Sequence, residues 1–206
     1  MSKEGKNGVT TKTPKNILFG AGTIHKNLKY TESAWNFADS IVGATSGGST
    51  LSIVPEITTI EVDGALVTVK ELQKKTGETA TMEINFIELS KDLLKAALIA
   101  QDGSSEDTNY DLLESKPDIV AGDYWENVAF VGKTLDGRNI IVIMDNALCT
   151  SGLELSGANK DTAKPALTFT CHADLESDMD TLPYHIYYPK DAAVMTAKTS
   201  KTSAQG

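Results

Sequence analysis

Alternation of apolar and polar positions dominates this chain. From Thr79 to Leu89, Met82, Ile84 and Phe86 share one parity while Glu83 and Asn85 take the other. That period of two belongs to a strand with one buried face. The parity flips at Phe86-Ile87, since Ile87 and Leu89 fall on the other register, which predicts a β-bulge or a strand end. Ile60 and Val62 alternate with Thr59, Glu61 and Asp63, and Ala65, Val67 and Val69 with Leu66, Thr68 and Lys70. Asp63-Gly64 lies between them and suits a tight two-residue turn, so Thr58 to Val69 predicts a hairpin. A second hairpin is predicted over Tyr124 to Met144, around Asp136-Gly137. Its outgoing strand, Ile140 to Met144, is apolar at every position and must be covered on both faces, by a helix or a neighbouring copy.

Shorter strands follow from the same reading. Ile17-Leu18-Phe19 ends at Gly20-Ala21-Gly22, which reads as a sharp turn, and extended character resumes over Thr23 to Tyr30. Leu51-Ser52-Ile53 alternates and ends before Pro55, which has no N–H to give a ladder. Pro165 to Asp174 places Leu167, Phe169 and Cys171 on one face, and Pro183 to Pro189 is the last strand. Only Ser90 to Ala100 has helical spacing, with Leu93, Leu94, Ala97 and Leu98 on one stripe. Ser90 caps it, Asp92 sits in the first turn, and Gly103 supplies the stop. Residues 31–50, 71–78, 102–118 and 150–164 read as loops. Residues 1–14 read as a flexible N-terminal arm, 15–190 as one β-rich domain and 191–206 as a flexible C-terminal tail. The expected fold is mainly β and antiparallel, a sandwich or barrel with one flanking helix.

Composition changes this picture modestly. The 206 residues suffice for a full core, but hydrophobic residues are 40% and aromatics 6%. That shortfall suits long polar loops, or surface that is buried only on assembly. The net charge of −9 argues against a protein that grips nucleic acid, because phosphate neutralisation needs clustered Lys and Arg. It is compatible with a surface that DNA slides past, but charge alone favours plain solubility. Met1 to Lys15 is polar without an apolar leader, and no run is long enough to span a membrane, so synthesis in a cytosol is expected.

Candidate chemistry is thin. Gly43 to Thr50 approaches a phosphate-binding loop but carries Ser49 where lysine is required. Gly20-Ala21-Gly22 is a fragment of a dinucleotide fingerprint with His25 at the third glycine position. His25, His172 and His185 lack metal-ligand spacing; adjacent Cys171 and His172 point to opposite faces of a strand. Cys149 and Cys171 do not support a disulfide framework, and alternation puts Cys171 on a core-facing position as a free thiol. No catalytic residue, metal site or cofactor is expected.

The segment Asn16 to Asn27, NILFGAGTIHKN, resembles the opening of tail tube proteins from long-tailed bacteriophages of Gram-positive bacteria. Gly43 to Ala65, GATSGGSTLSIVPEITTIEVDGA, is similar to the segment that follows in that family, and Glu78 to Leu98 to its strand-then-helix unit. The resemblance covers roughly half of the chain. It implies a β-sandwich or barrel-like subunit of the virion, six copies of which form a ring, with rings stacked into a hollow tube that conducts DNA. It also implies tape-measure and tail terminator or tip proteins as partners, no membrane, and synthesis in the host bacterial cytoplasm. On this reading Glu61 and Asp63 are candidate lumen-facing residues, and Gly43, Gly47, Gly48, Lys74 and Lys75 belong to candidate inter-subunit loops. The tubes of contractile tails, phage-derived bacteriocins and secretion systems share the architecture. A monomeric β-sandwich binding module is the alternative from another class, with Trp35, Trp125, Tyr184, Tyr187 and Tyr188 as its candidate aromatics. An enzyme with an unrecognised site is a third.

Overall fold

The chain folds around long antiparallel ladders, seen in a computed structural model that describes residues 8–157, 159–176 and 178–190. The helical segments are α1 (Thr13–Asn16), α2 (Phe37–Ser40) and α3 (Lys91–Leu98). The strands are β1 (Leu18–Lys26), β2 (Tyr30–Thr31), β3 (Ala34–Trp35), β4 (Thr45–Thr59), β5 (Gln73–Phe86), β6 (Gln101–Gly103), β7 (Leu112–Glu114), β8 (Trp125–Thr134), β9 (Asn139–Cys149), β10 (Ala166–Cys171) and β11 (Tyr184–Tyr187). The main sheet runs β1-β8-β9-β10-β5-β4, with β11 also paired to β9. The fold is thus mainly β and sandwich-like, as the alternation predicts. Among the described residues no helix is long and apolar enough to cross a membrane.

The sheet curls onto itself. Ile24 on β1 and Met82 on β5 lie far apart in strand order, yet they share one core. Val128, Met144, Leu167, Phe169 and Trp125 join them, and Leu93, Ala96 and Ala97 of α3 close the cluster. The seam is nearly shut: Val42 N–H, just ahead of β4, donates to Ile24 O on β1 (3.0 Å), and Ile41 bridges His25. The expected inward positions of β5, Met82, Ile84 and Phe86, are fully buried, and the strand ends where the parity flips.

Both faces of β9 are covered, as its apolar run requires. Met144 faces the main core, while Ile141 and Ile143 join Leu28, Ala129 and Val131 in a second cluster. The cover on that side comes from the chain itself, through Leu28, Trp35 and Phe37, the last of them on α2. Asn127 fixes this flap: its Oδ1 accepts from Leu28 N–H (2.8 Å) and its Nδ2 donates to Leu28 O (3.2 Å). Asn146 adopts φ 47°, and beyond it Ala147 and Cys149 rejoin the main core with Met144.

Several expectations change. Gly20-Ala21-Gly22 is a bulge within β1, not a strand-ending turn: the pairing passes from Phe19↔Lys133 to Thr23↔Val131. Gly22 holds φ 71°, and a Cβ there would lie 2.4 Å from the Phe130 ring. Residues 45–50 are strand rather than loop, entering the ladder through Gly47 and Gly48, both at positive φ. The ladder does not stop at Pro55, which pairs with Glu78. Because β4 ends the sheet, a residue without an N–H is tolerated there. Helix α3 is capped by Ser90, whose Oγ accepts from Leu93 N–H (3.2 Å), but it stops at a left-handed Ile99 (φ 49°) and not at Gly103. Its buried stripe is Leu93, Ala96, Ala97 and Ala100, with Leu98 left exposed. The segment 102–118, read as loop, contains most of the small hairpin that β6 and β7 form.

The connection into β8 is held by an ion pair with little exposure, Lys116 Nζ to Asp123 Oδ1 (2.5 Å). Asp123 Oδ2 also accepts from Val120 N–H (2.8 Å). Burial pushes the Asp123 carboxyl up, but the Lys116 ammonium and the Val120 N–H outweigh it and hold it below its ordinary value. A carboxylate depressed on folding adds stability above its unfolded pKa, and that contribution is lost as pH falls through the folded one. The stability difference between wild type and Asp123→Asn should therefore shrink below about pH 4, the unfolded carboxylate range. Urea titrations between neutral and acidic pH check this; a difference that stays constant with pH contradicts it.

Candidate assembly surface

One feature of the fold extends past the packed core, meeting the rest of the described chain near its base, where Tyr184 O–H donates to Glu78 Oε1 (3.3 Å). Strands β4 and β5 run on past the core as a two-stranded arm, pairing Val54↔Thr79, Pro55↔Glu78 and Glu56↔Gly77, then Ile57↔Lys75 and Thr59↔Gln73 after a register shift. Gly77 makes room for the shift, since a Cβ there would lie 2.7 Å from Glu56 Oε2. Thr58 and Thr76 hydroxyls meet across the arm (3.1 Å), and Lys75 pairs with Glu78 (2.8 Å). No residue from Val54 to Thr79 is buried.

The tip is a loop rather than a tight hairpin. Ile60 N–H donates to Leu72 O (2.8 Å), Lys70–Leu72 form a 3-10 turn, and Ala65 N–H donates to Val62 O (3.1 Å). Asp63-Gly64 does turn the chain, with Gly64 at φ 93°, but Ala65 to Val69 pair with nothing as a strand. The Thr58 to Val69 hairpin is therefore corrected: the return strand begins at Gln73, inside the segment expected to be a charged loop. An arm solvated on both sides has no buried face to impose alternation on its sequence. Its ladder instead continues the pairing set by Ala80 to Phe86 in the core.

Apolar residues crowd this exposed tip. Leu66 is 99% and Val67 77% exposed, and Ile57, Ile60 and Val62 are each more than half exposed. Leaving such a set together in water is unfavourable, at roughly 1.5–3 kcal/mol per side chain relative to full burial.

Glu61 and Asp63 sit on the exposed tip loop, off any paired strand, so the alternation from which a lumen-facing side was read is not present there. Lys74 and Lys75 are strand residues of the arm. Gly47 and Gly48 lie at the other end of β4, beside Asn85, whose Nδ2 donates to Gly48 O (3.1 Å). Gly43 precedes β4 against Glu88. The structure thus separates these candidates into an arm group and a barrel-end group. Sequence reasoning missed the apolar tip as a site, although Ile60, Val62, Leu66, Val67 and Val69 around Asp63-Gly64 were its signal.

The candidate chemistry resolves into structural contacts. Ser40 O–H donates to Asn36 O (2.6 Å), so its Oγ accepts from His25 Nδ1–H (2.8 Å), and His25 Nε2 accepts from Thr23 O–H (2.8 Å). Burial lowers the His25 pKa and favours this neutral form. The chain of bonds ties β1 to α2 across the seam. Both cysteines are buried, and desolvation pushes Cys149 up and Cys171 up to about 11, so neither is a ready nucleophile. Among the described residues, no three His, Cys, Asp or Glu side chains are grouped to hold a metal. Trp125 packs on Phe169 (centroids 4.6 Å apart), and Trp35 meets Tyr30 and Tyr187 edge to face. Of these rings Trp125 is buried, while Tyr30 and Tyr187 remain exposed. No protein-family model matches the chain, and no curated protein does.

Proposed function

We propose that this chain is a structural subunit that assembles with copies of itself into stacked rings, forming a hollow tube of the phage-tail kind through which DNA passes. The observation that carries the proposal is the β4–β5 arm, whose tip exposes Ile60, Val62, Leu66 and Val67 in the single chain. A nearly closed barrel supplies a rigid body, and the arm supplies reach. The resemblance of residues 16–27, 43–65 and 78–98 to tail tube proteins supports the same reading, as does an acidic charge that repels DNA rather than holding it. On this reading the protein is not an enzyme; it acts in the virion and meets the tape-measure, terminator and tip proteins of the tail. Residues 191–206, read from sequence as a tail, lie outside the described residues.

Sedimentation velocity over a concentration series tests self-association. The expected result is a boundary that moves to larger species as concentration rises. A single monomer boundary at every concentration, with or without added tail-tip components, overturns the proposal.

A further inference from the structure

A second unsatisfied surface lies on the body of the molecule. The β1 bulge places glycines where side chains would otherwise stand, and beside it opens a cleft of about 450 Å³. Phe19, Phe37, Ile41, Val131 and Lys133 line much of it. Phe19 is 69% exposed although it sits in a ladder, opposite Lys133. Ile17 and Leu135 are also exposed at this end of the sheet, where Leu135 N–H donates to Ile17 O (3.0 Å). Among the described residues no carboxylate lines the cleft, and Lys133 stands exposed at its side.

The arm tip is its complement. Residues 60–69 offer Ile60, Val62, Leu66 and Val67 together with Glu61 and Asp63, and contain no Lys or Arg. We infer that the arm tip of one copy docks into the Phe19–Lys133 cleft of a second copy, with Leu66 and Val67 entering the cleft and Glu61 or Asp63 meeting Lys133. This rests on the self-assembly proposed above and names the surface that receives the arm. Apolar side chains supply the affinity, and the opposite charges fix the orientation. Because donor and receptor are different surfaces, the contact is head-to-tail. Repeated from copy to copy, such a contact closes into a ring or runs on along a tube, according to the rotation between successive copies.

Disulfide trapping tests this. Two differently tagged full-length variants, Leu66→Cys and Phe19→Cys, are mixed under mild oxidation, and Leu66→Cys is mixed separately with Leu175→Cys, an exposed position on another loop. The native Cys149 and Cys171 are buried and contribute little background. The expected result is a cross-linked pair of the two tags, enriched at least about tenfold over the Leu175 control by the high local concentration of docked sites. Assembly by sedimentation without that enrichment overturns the docking inference and leaves the self-assembly reading standing. Failure of these variants and of wild type to associate at all overturns both.

Discussion

Replacing Leu66 and Val67 together by aspartate is expected to abolish self-assembly while leaving the folded chain intact. Both side chains stand in water in the single subunit, so the fold loses no packing when they change. Surface changes of this kind shift stability by no more than about 0.5 kcal/mol, or one to two degrees in Tm for a chain of this size. Assembly behaves differently. Each side chain gains roughly 1.5–3 kcal/mol when buried against a partner. Loss of both raises the concentration needed for assembly by about two to four powers of ten. The added carboxylates also join Glu61 and Asp63 on a tip already acidic. Sedimentation velocity and thermal melts, run on the same sample, separate the two effects. A variant that assembles like wild type removes the tip from the interface, and one that melts far below wild type shows that the tip supports the fold.

Phe169→Ala is expected to do the opposite, damaging the fold wherever the chain is in its assembly. Phe169 is fully buried on β10, pairs with Met82 on one side and Cys149 on the other, and packs its ring on Trp125. Truncation removes the contacts that join three strands and leaves a cavity, at a cost of about 3–5 kcal/mol. The midpoint of urea unfolding should fall accordingly, and Trp125 emission should change before unfolding because its neighbour is gone. A loss below about 1 kcal/mol would mean that the core closes around the gap far more readily than packed interiors do.

The parts of this fold that were legible in the sequence are those with one wet face and one dry face. Met82, Ile84 and Phe86, the Leu167-Phe169-Cys171 face, the hairpin around Asp136-Gly137 and the Ser90-capped helix all show in the sequence because burial imposes a period on it. The arm was misread because both its faces are solvated, so nothing forces alternation on Lys74 to Thr79, and local alternation around Asp63-Gly64 suggested a hairpin that does not form. Residues 45–50 failed for a related reason: Gly47 and Gly48 carry no side chain to display a period, and they sit in an irregularity of the ladder between the Thr45↔Phe86 and Ser49↔Ile84 pairs. The flap of Leu28, Trp35 and Phe37 was invisible because its partner, the outer face of β8 and β9, is distant in sequence. The candidate surface was half legible. Its apolar residues stood in plain view, but their exposure follows from how far the β4–β5 ladder outruns the core.

Electron microscopy of the concentrated wild-type protein tests the central claim most directly. The account predicts hollow tubes of uniform width with an open lumen, built from stacked rings, and their absence from the Leu66→Asp, Val67→Asp variant under the same conditions. Closed dimers or solid aggregates that form equally well with the altered tip would contradict it.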